Sequence, residues 1–221
     1  MIKINNLTKS YRTPSGRHYV FKNINVILPK NKSVALIGRN GAGKSTLLRL
    51  IGGIDRPDTG NISSEGTISW PVGLSGGFQG SLTGRENVKF VARLYAEKRA
   101  LKEKIKYVED FSELGKYFDM PIKTYSSGMR SRLGFGLSMA FDFDYYLVDE
   151  VTSVGDAKFR KKCSDIFNSK RNSSNLIMVS HSLNSLKEYC DCAIFIGRDR
   201  CAYFYDEIDE AIDVYKGDEG I

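Results

Sequence analysis

Near its start the chain alternates apolar and polar positions, with Ile2, Ile4 and Leu7 answered by Val20, Ile24, Val26 and Leu28. A period of two marks strands with one buried face, and the turn formers Thr13-Pro14-Ser15-Gly16 between the two sets predict an antiparallel pair. The pattern then changes. Ser33-Val34-Ala35-Leu36-Ile37 is a continuous apolar run of the kind a fully buried strand carries, and Leu47-Leu48-Arg49-Leu50-Ile51 reads as a helix. Asp55-Arg56-Pro57-Asp58-Thr59-Gly60 is dense in turn formers and leads into one short strand ending near Trp70. From about Gly84 to Ala140 the spacing is helical, as in Val88, Val91, Leu94 and Tyr95. Strand and helix then alternate again. Tyr145-Tyr146-Leu147-Val148 and Asn175-Leu176-Ile177-Met178-Val179 predict buried parallel strands, separated by a helix from about Ala157 to Arg171. A closing strand pair, Ala193–Ile196 and Ala202–Tyr205, precedes a last helix from about Glu207 to Tyr215. The chain reads as an α/β core interrupted by a helical insertion.

Composition narrows this only a little. With 221 residues and 41% hydrophobic content, the chain is long enough for one or two domains with a proper core. No apolar run approaches the ~20 residues needed to cross a bilayer. The start, Met1-Ile2-Lys3-Ile4-Asn5-Asn6, lacks the apolar stretch of a signal peptide. Cys163, Cys190, Cys192 and Cys201 form no C-x-x-C pair and fit reduced cytosolic thiols. The net charge of +7 is spread out. The run from Lys98 to Lys106 is interleaved with acidic Glu103, and Lys158-Phe159-Arg160-Lys161-Lys162 falls on a surface helix. Such a distribution argues against a nucleic-acid partner and fits attraction to an anionic membrane surface better.

The chemistry begins at Gly38-Arg39-Asn40-Gly41-Ala42-Gly43-Lys44-Ser45-Thr46, which fits the phosphate-binding pattern G-x-x-x-x-G-K-[ST]. A strand precedes it and a helix follows, the context this motif requires. Glycines let backbone N–H groups turn toward phosphates, and the helix N-terminus favours anions. Lys44 would sit on the β- and γ-phosphates and the Ser45 hydroxyl on Mg2+. The bound molecule is a nucleoside triphosphate. Asp149 and Glu150 follow an apolar strand, as in a Walker B motif: Asp149 would hold Mg2+ and Glu150 would polarise the attacking water. His181 ends the next strand, where a histidine can donate a hydrogen bond to the γ-phosphate. Gln79, at the edge of the helical insertion, carries a neutral amide able to reach Mg2+ or the attacking water.

With these motifs in place the chain resembles, along essentially its whole length, the ATP-binding subunit of an ABC transporter. The resemblance implies a P-loop NTPase core with an antiparallel β subdomain and an inserted helical subdomain. The implied bounds are about 1–83 and 141–221 for the core and about 84–140 for the helices, within a single domain of 1–221. It also implies that Tyr11 stacks on adenine, that Gln79 is the Q-loop glutamine, that Ser153-Val154-Gly155-Asp156 is the D-loop, and that His181 is the switch histidine. Two segments compete for the signature. Leu74-Ser75-Gly76-Gly77 matches by letter but precedes the Q-loop. Tyr125-Ser126-Ser127-Gly128-Met129 departs from the family at Ser127 and Met129, yet it lies in the right order and opens a helical run. Ser126, Ser127 and Gly128 are therefore the expected contacts to the ATP of a partner copy.

The stretch from Trp70 to Asn87, together with this signature, is most similar to bacterial capsular polysaccharide exporters, relatives of the O-antigen and teichoic acid exporters. The chain ends at Ile221 without the carbohydrate-binding extension of many O-antigen exporters, an expectation that favours the capsule branch. The implied protein is an ATPase that forms a homodimer on binding ATP. It sits peripherally on the cytoplasmic face of the inner membrane, coupled to an integral permease subunit and a polysaccharide export machinery. A soluble ABC ATPase acting on DNA, the ribosome or iron–sulphur assembly is the rival reading.

Overall fold

The computed structural model describes residues 1–72, 77–149, 156–171 and 173–220. The chain forms two compact units, one of Met1–Pro71, Phe143–Glu150 and Ser173–Ile221, the other of Val72–Asp142 and Val151–Asn172.

The first unit holds two sheets. Strands β1 (Ile2–Thr13) and β2 (Gly16–Leu28) pair antiparallel, and β4 (Thr59–Ser64) pairs with the other side of β1. The second sheet runs in the order β5 (Ile68–Val72), β6 (Tyr145–Asp149), β7 (Asn175–Val179), β3 (Val34–Gly38), β8 (Cys192–Ile196) and β9 (Ala202–Tyr205). Strand β3 is parallel to both its neighbours, β7 and β8, and β6 is parallel to β7. Helix α1 (Lys44–Ile51) shares one core with both sheets. Its Leu47 and Leu48 are fully buried in that cluster with Leu7, Phe21, Leu36 and Ile194. Each such leucine contributes about 1.5–3 kcal/mol by leaving water, so the core fixes α1 directly behind the end of β3.

The alternation of the first strands, the buried run before Gly38 and the late parallel strands all lie where the pattern puts them. Two elements do not. The single strand expected before Trp70 is two strands, β4 and β5, in different sheets. Ser64 exchanges hydrogen bonds with Gly66, turning the chain between them, and β4 carries one apolar side chain, Ile62, too few for an alternation to show. Helix α6 (Leu183–Tyr189) is also additional; at seven residues it is too short to display a helical period, and it is capped by Ser182. The last helix, α7 (Ile208–Glu219), runs beyond Tyr215.

The second unit is helical: α2 (Gly84–Tyr95), α3 (Leu101–Ser112), two short 3-10 turns at Gly115–Asp119 and Ile122–Thr124, α4 (Ser127–Met139) and α5 (Ala157–Arg171). Aromatic rings join the helices. Phe111 of α3 stacks on Phe135 of α4 at 5.6 Å between centroids and meets Phe159 of α5 edge-on at 5.5 Å. Phe167 packs on Phe135 at 5.2 Å. Gly136 makes room for Phe111 against α4, since a Cβ there would lie 2.9 Å from the Phe111 ring. Arg85 adds a charged tie, donating to Glu109 and Asp119 at 2.6 Å each.

Candidate functional site

Parallel strands all deliver their carboxyl ends to one edge of a sheet, and ligands bind there. In the register of β6 and β7, Asp149 stands opposite Val179, and β7 in turn pairs with β3. The phosphate loop leaves β3, Asp149 ends β6, and Ser180 and His181 follow β7, so this one edge gathers three of the predicted motifs.

The loop itself has the backbone that phosphate binding needs. Gly41 and Gly43 hold φ of +81° and +104°, a left-handed region that side chains resist. Gly43 is doubly constrained, because a Cβ would fall 2.4 Å from Val20 Cγ1 and 2.8 Å from the Phe21 ring. A glycine there lets the loop lie on the antiparallel sheet. Gly43 is also the N-cap of α1, and no side chain caps that helix. The first turn of α1, from Lys44 to Thr46, thus begins at the loop, where the positive end of the helix favours an anion. The Lys44 ammonium donates to the carbonyls of Gly38 at 2.6 Å and Arg39 at 2.9 Å, which places its charge across the loop.

A narrow cleft lined by Gly38, Asn40, Lys44, Ser180 and His181 brings the phosphate loop and the histidine together. Leu183, Leu186 and Tyr215 close its apolar side. A second, wider cleft opens along the loop, lined by Arg39, Asn40, Gly41 and Ala42 and by His18, Tyr19, Arg198 and Arg200. The first-unit donors present, a hydroxyl from Ser45 and a carboxylate from Asp149, are the hard oxygens Mg2+ prefers. Among the described residues no cluster of three or more His, Cys, Asp or Glu forms a metal cage. Such a site suits a cation that takes its remaining ligands from phosphate and water.

Tyr11 stands on β1, half-exposed, and does not line the second cleft; Tyr19 does. The Tyr11 hydroxyl donates to Asp55 at 2.8 Å, and Lys9 Nζ lies 4.9 Å from its ring centroid. Lys9, only 7% exposed, donates to the same carboxylate at 2.7 Å. Lys9 and Asp55 escaped the sequence reading, since nothing local marks residues so far apart as partners. His18, Tyr19, Arg198 and Arg200 escaped it for the same reason.

Gln79 and the signature belong to the helical unit. Gln79 is exposed, and its Nε2 lies 3.3 Å from Ser81 Oγ. Ser126 is the N-cap of α4 and accepts the Met129 N–H at 3.2 Å; Ser127 opens the helix and Gly128 follows. An exposed helix N-terminus is thus presented by the second signature candidate. Glu150, the D-loop residues 153–155 and residues 74–76 of the other candidate lie outside the described residues. Asp156 caps α5 through the Phe159 N–H at 2.9 Å and receives Arg132 at 2.8 Å.

A model of the ABC transporter family matches residues 21–153 of this sequence. The chain belongs to the ABC transporter family. It is accordingly an ATP-binding protein and an ATPase. Polysialic acid transport ATP-binding protein KpsT of Escherichia coli is 73% identical over 218 residues, covering 99% of this chain and all of that protein. Capsule polysaccharide export ATP-binding protein CtrD of Neisseria meningitidis serogroup B is 44% identical, covering 97% of this chain and 98% of its own length. Among solved structures, the ATP-binding cassette MJ0796, in a dimeric post-hydrolysis state bound to ADP and phosphate, superposes with a TM-score of 0.77. That match covers 94% of this chain and 99% of the other at 20% identity, so it speaks for the ABC ATPase fold alone. No described helix of this chain is long and apolar enough to cross a membrane.

Proposed function

We propose that this ABC ATPase powers export of capsular polysaccharide across the bacterial inner membrane through a separate integral permease. The observation that carries the reading is the phosphate loop and His181 lining one cleft, in a chain 73% identical over its length to a polysialic acid transport ATP-binding protein. Teichoic acid and O-antigen export relatives stand lower, at 38% and 37% identity.

In this account two copies close head to tail around two ATP molecules. The α1 amides and Lys44 hold the β- and γ-phosphates of each, and Tyr11 stacks on the adenine. Ser45 and Asp149, together with the Gln79 amide, would hold Mg2+, which when bound offsets phosphate charge. Glu150 polarises the attacking water and His181 donates to the γ-phosphate. Ser126, Ser127 and Gly128 of the other copy complete the site, so that hydrolysis releases the pair. ATP closes the dimer and hydrolysis opens it, and the permease turns that cycle into transport. The chain works peripherally on the cytoplasmic face of the inner membrane, with the export machinery as its further partner.

Fractionation tests the permease dependence. The chain is expected in the membrane pellet when the permease is co-expressed and in the supernatant when it is not. Equal pelleting in both cases, or none in either, contradicts the reading.

A further inference from the structure

One buried polar side chain outside the assigned set directs its hydrogen bonds at a single loop. Asn87, on the first turns of α2, is 5% exposed. Its Oδ1 accepts the Gln79 N–H at 2.8 Å. Its Nδ2 donates to the carbonyls of Gln79 at 3.1 Å, Leu82 at 3.4 Å and Thr83 at 2.9 Å. The orientation of the amide is fixed by chemistry: one N–H faces the oxygen and three carbonyls face the nitrogen, and a flip would set oxygen against oxygen. The opposite side of this loop is zipped to the segment before the signature. Lys123 N–H donates to the Gly80 carbonyl at 2.9 Å and Ile122 N–H to the Leu82 carbonyl at 2.9 Å. Gly84 N–H reaches the Met120 carbonyl at 3.3 Å, and Thr83 bridges to Pro121.

Tyr125, adjacent to Ser126, locks onto the same place. Its hydroxyl donates to the Tyr117 carbonyl at 2.6 Å and occupies the space beside Gly84, where a Cβ would lie 2.4 Å from it. All these residues belong to the helical unit. The Gln79 side chain, by contrast, makes one long hydrogen bond among the described residues, to Ser81 at 3.3 Å. Where its amide reaches is therefore decided by its backbone, and its backbone is held by Asn87.

We propose that Asn87 is a positioning residue for Gln79, fixing that glutamine and the signature serine Ser126 on one rigid piece. The reading of Gln79 as the residue that reaches the metal or the attacking water underlies this assignment. A purely structural Asn87 would lower stability and leave turnover of the folded protein intact. A positioning Asn87 lowers kcat while ATP still binds, because the phosphate loop is untouched.

A double-mutant cycle separates the two. ATP Kd and kcat are measured for the wild type, Gln79→Ala, Asn87→Ala and the double variant, each shown folded by its thermal transition. Misplacing a catalytic amide by a fraction of an ångström costs roughly tenfold or more in rate. Gln79→Ala and Asn87→Ala are each expected to lose kcat on that scale with Kd little changed, and the double variant to be no slower than Gln79→Ala. Should Asn87→Ala fail to fold, Asn87→Ser keeps one hydroxyl against the loop and is expected to show a smaller loss that is again absent in the Gln79→Ala background. Wild-type kcat in the folded Asn87 variant, or losses that multiply in the double, overturn the role of Asn87 alone. Wild-type kcat in Gln79→Ala overturns the reading of Gln79, and the Asn87 role falls with it.

Discussion

Two residues of the phosphate loop do different work and should fail differently. Lys44 brings charge: Lys44→Ala removes the ammonium that spans the Gly38 and Arg39 carbonyls without disturbing the core behind it. ATP affinity is expected to fall by at least about tenfold, as for loss of a charge-assisted contact, and turnover to vanish while the thermal transition stays put. Normal turnover by the purified variant would remove Lys44 from the mechanism. Gly43 brings space and backbone. Gly43→Ala meets Val20 Cγ1 at 2.4 Å with φ at +104°. A left-handed alanine costs about 1–2 kcal/mol and overpacking about 1–3 kcal/mol. A lower urea midpoint, with binding lost as well, is the expected outcome. The loop was legible because its whole chemistry sits in nine consecutive residues. Asn87 and the pair Lys9–Asp55 were not, because a buried polar residue declares itself only through partners that the fold brings to it.

At the scale of elements, the choice between two signatures is the sharpest. A Cβ on Gly128 would lie 3.9 Å from the nearest atom, Ser126 Oγ, so substitutions there fit the fold. Gly128→Asp and Ser126→Arg are expected to abolish hydrolysis in a folded protein, since charge and bulk at the α4 N-terminus block the phosphate of the partner copy. The same changes at Gly77 and Ser75 are expected to spare it. ATP-dependent dimers lost in the Ser75 variant and kept in the Ser126 variant would reverse the assignment.

The β1 contact to the loop after α1 rests on Asp55. Burial pushes its carboxyl up, but hydrogen bonds from Lys9 and Tyr11 outweigh this and hold it below the usual carboxylate range. A depressed native pKa stabilises the fold above the unfolded value near 4 and is lost as pH falls through the lower native one. Asp55→Asn is thus expected to lose about 2 kcal/mol at pH 7, and the gap to the wild type to narrow below about pH 4. A gap that widens on acidification would contradict the assignment. Long elements with a clean period were readable. Strand β4, with a single apolar side chain, and α6, with seven residues, were not.

For the whole molecule, the account requires that ATP join two copies. Glu150→Gln keeps the shape of the side chain and removes the base, so ATP is expected to accumulate a dimer visible by size-exclusion chromatography with light scattering. A variant that stays monomeric with ATP while the wild type dimerises counts against shared sites. The α/β core with its helical insertion was visible as a change of hydrophobic period near Gly84 and back again by Tyr145. That α5 packs with the insertion was not, because the Phe111, Phe135 and Phe159 cluster is assembled from three separate helices. The central claim, that hydrolysis by this chain drives capsule export, is tested most directly by where the polymer goes. In a cell that lacks this gene, polysaccharide should still be made but remain in the cytoplasmic fraction. The wild-type allele should return it to the surface, and the Lys44→Ala allele should not. Surface polysaccharide at the wild-type level in the deletion strain would contradict the claim.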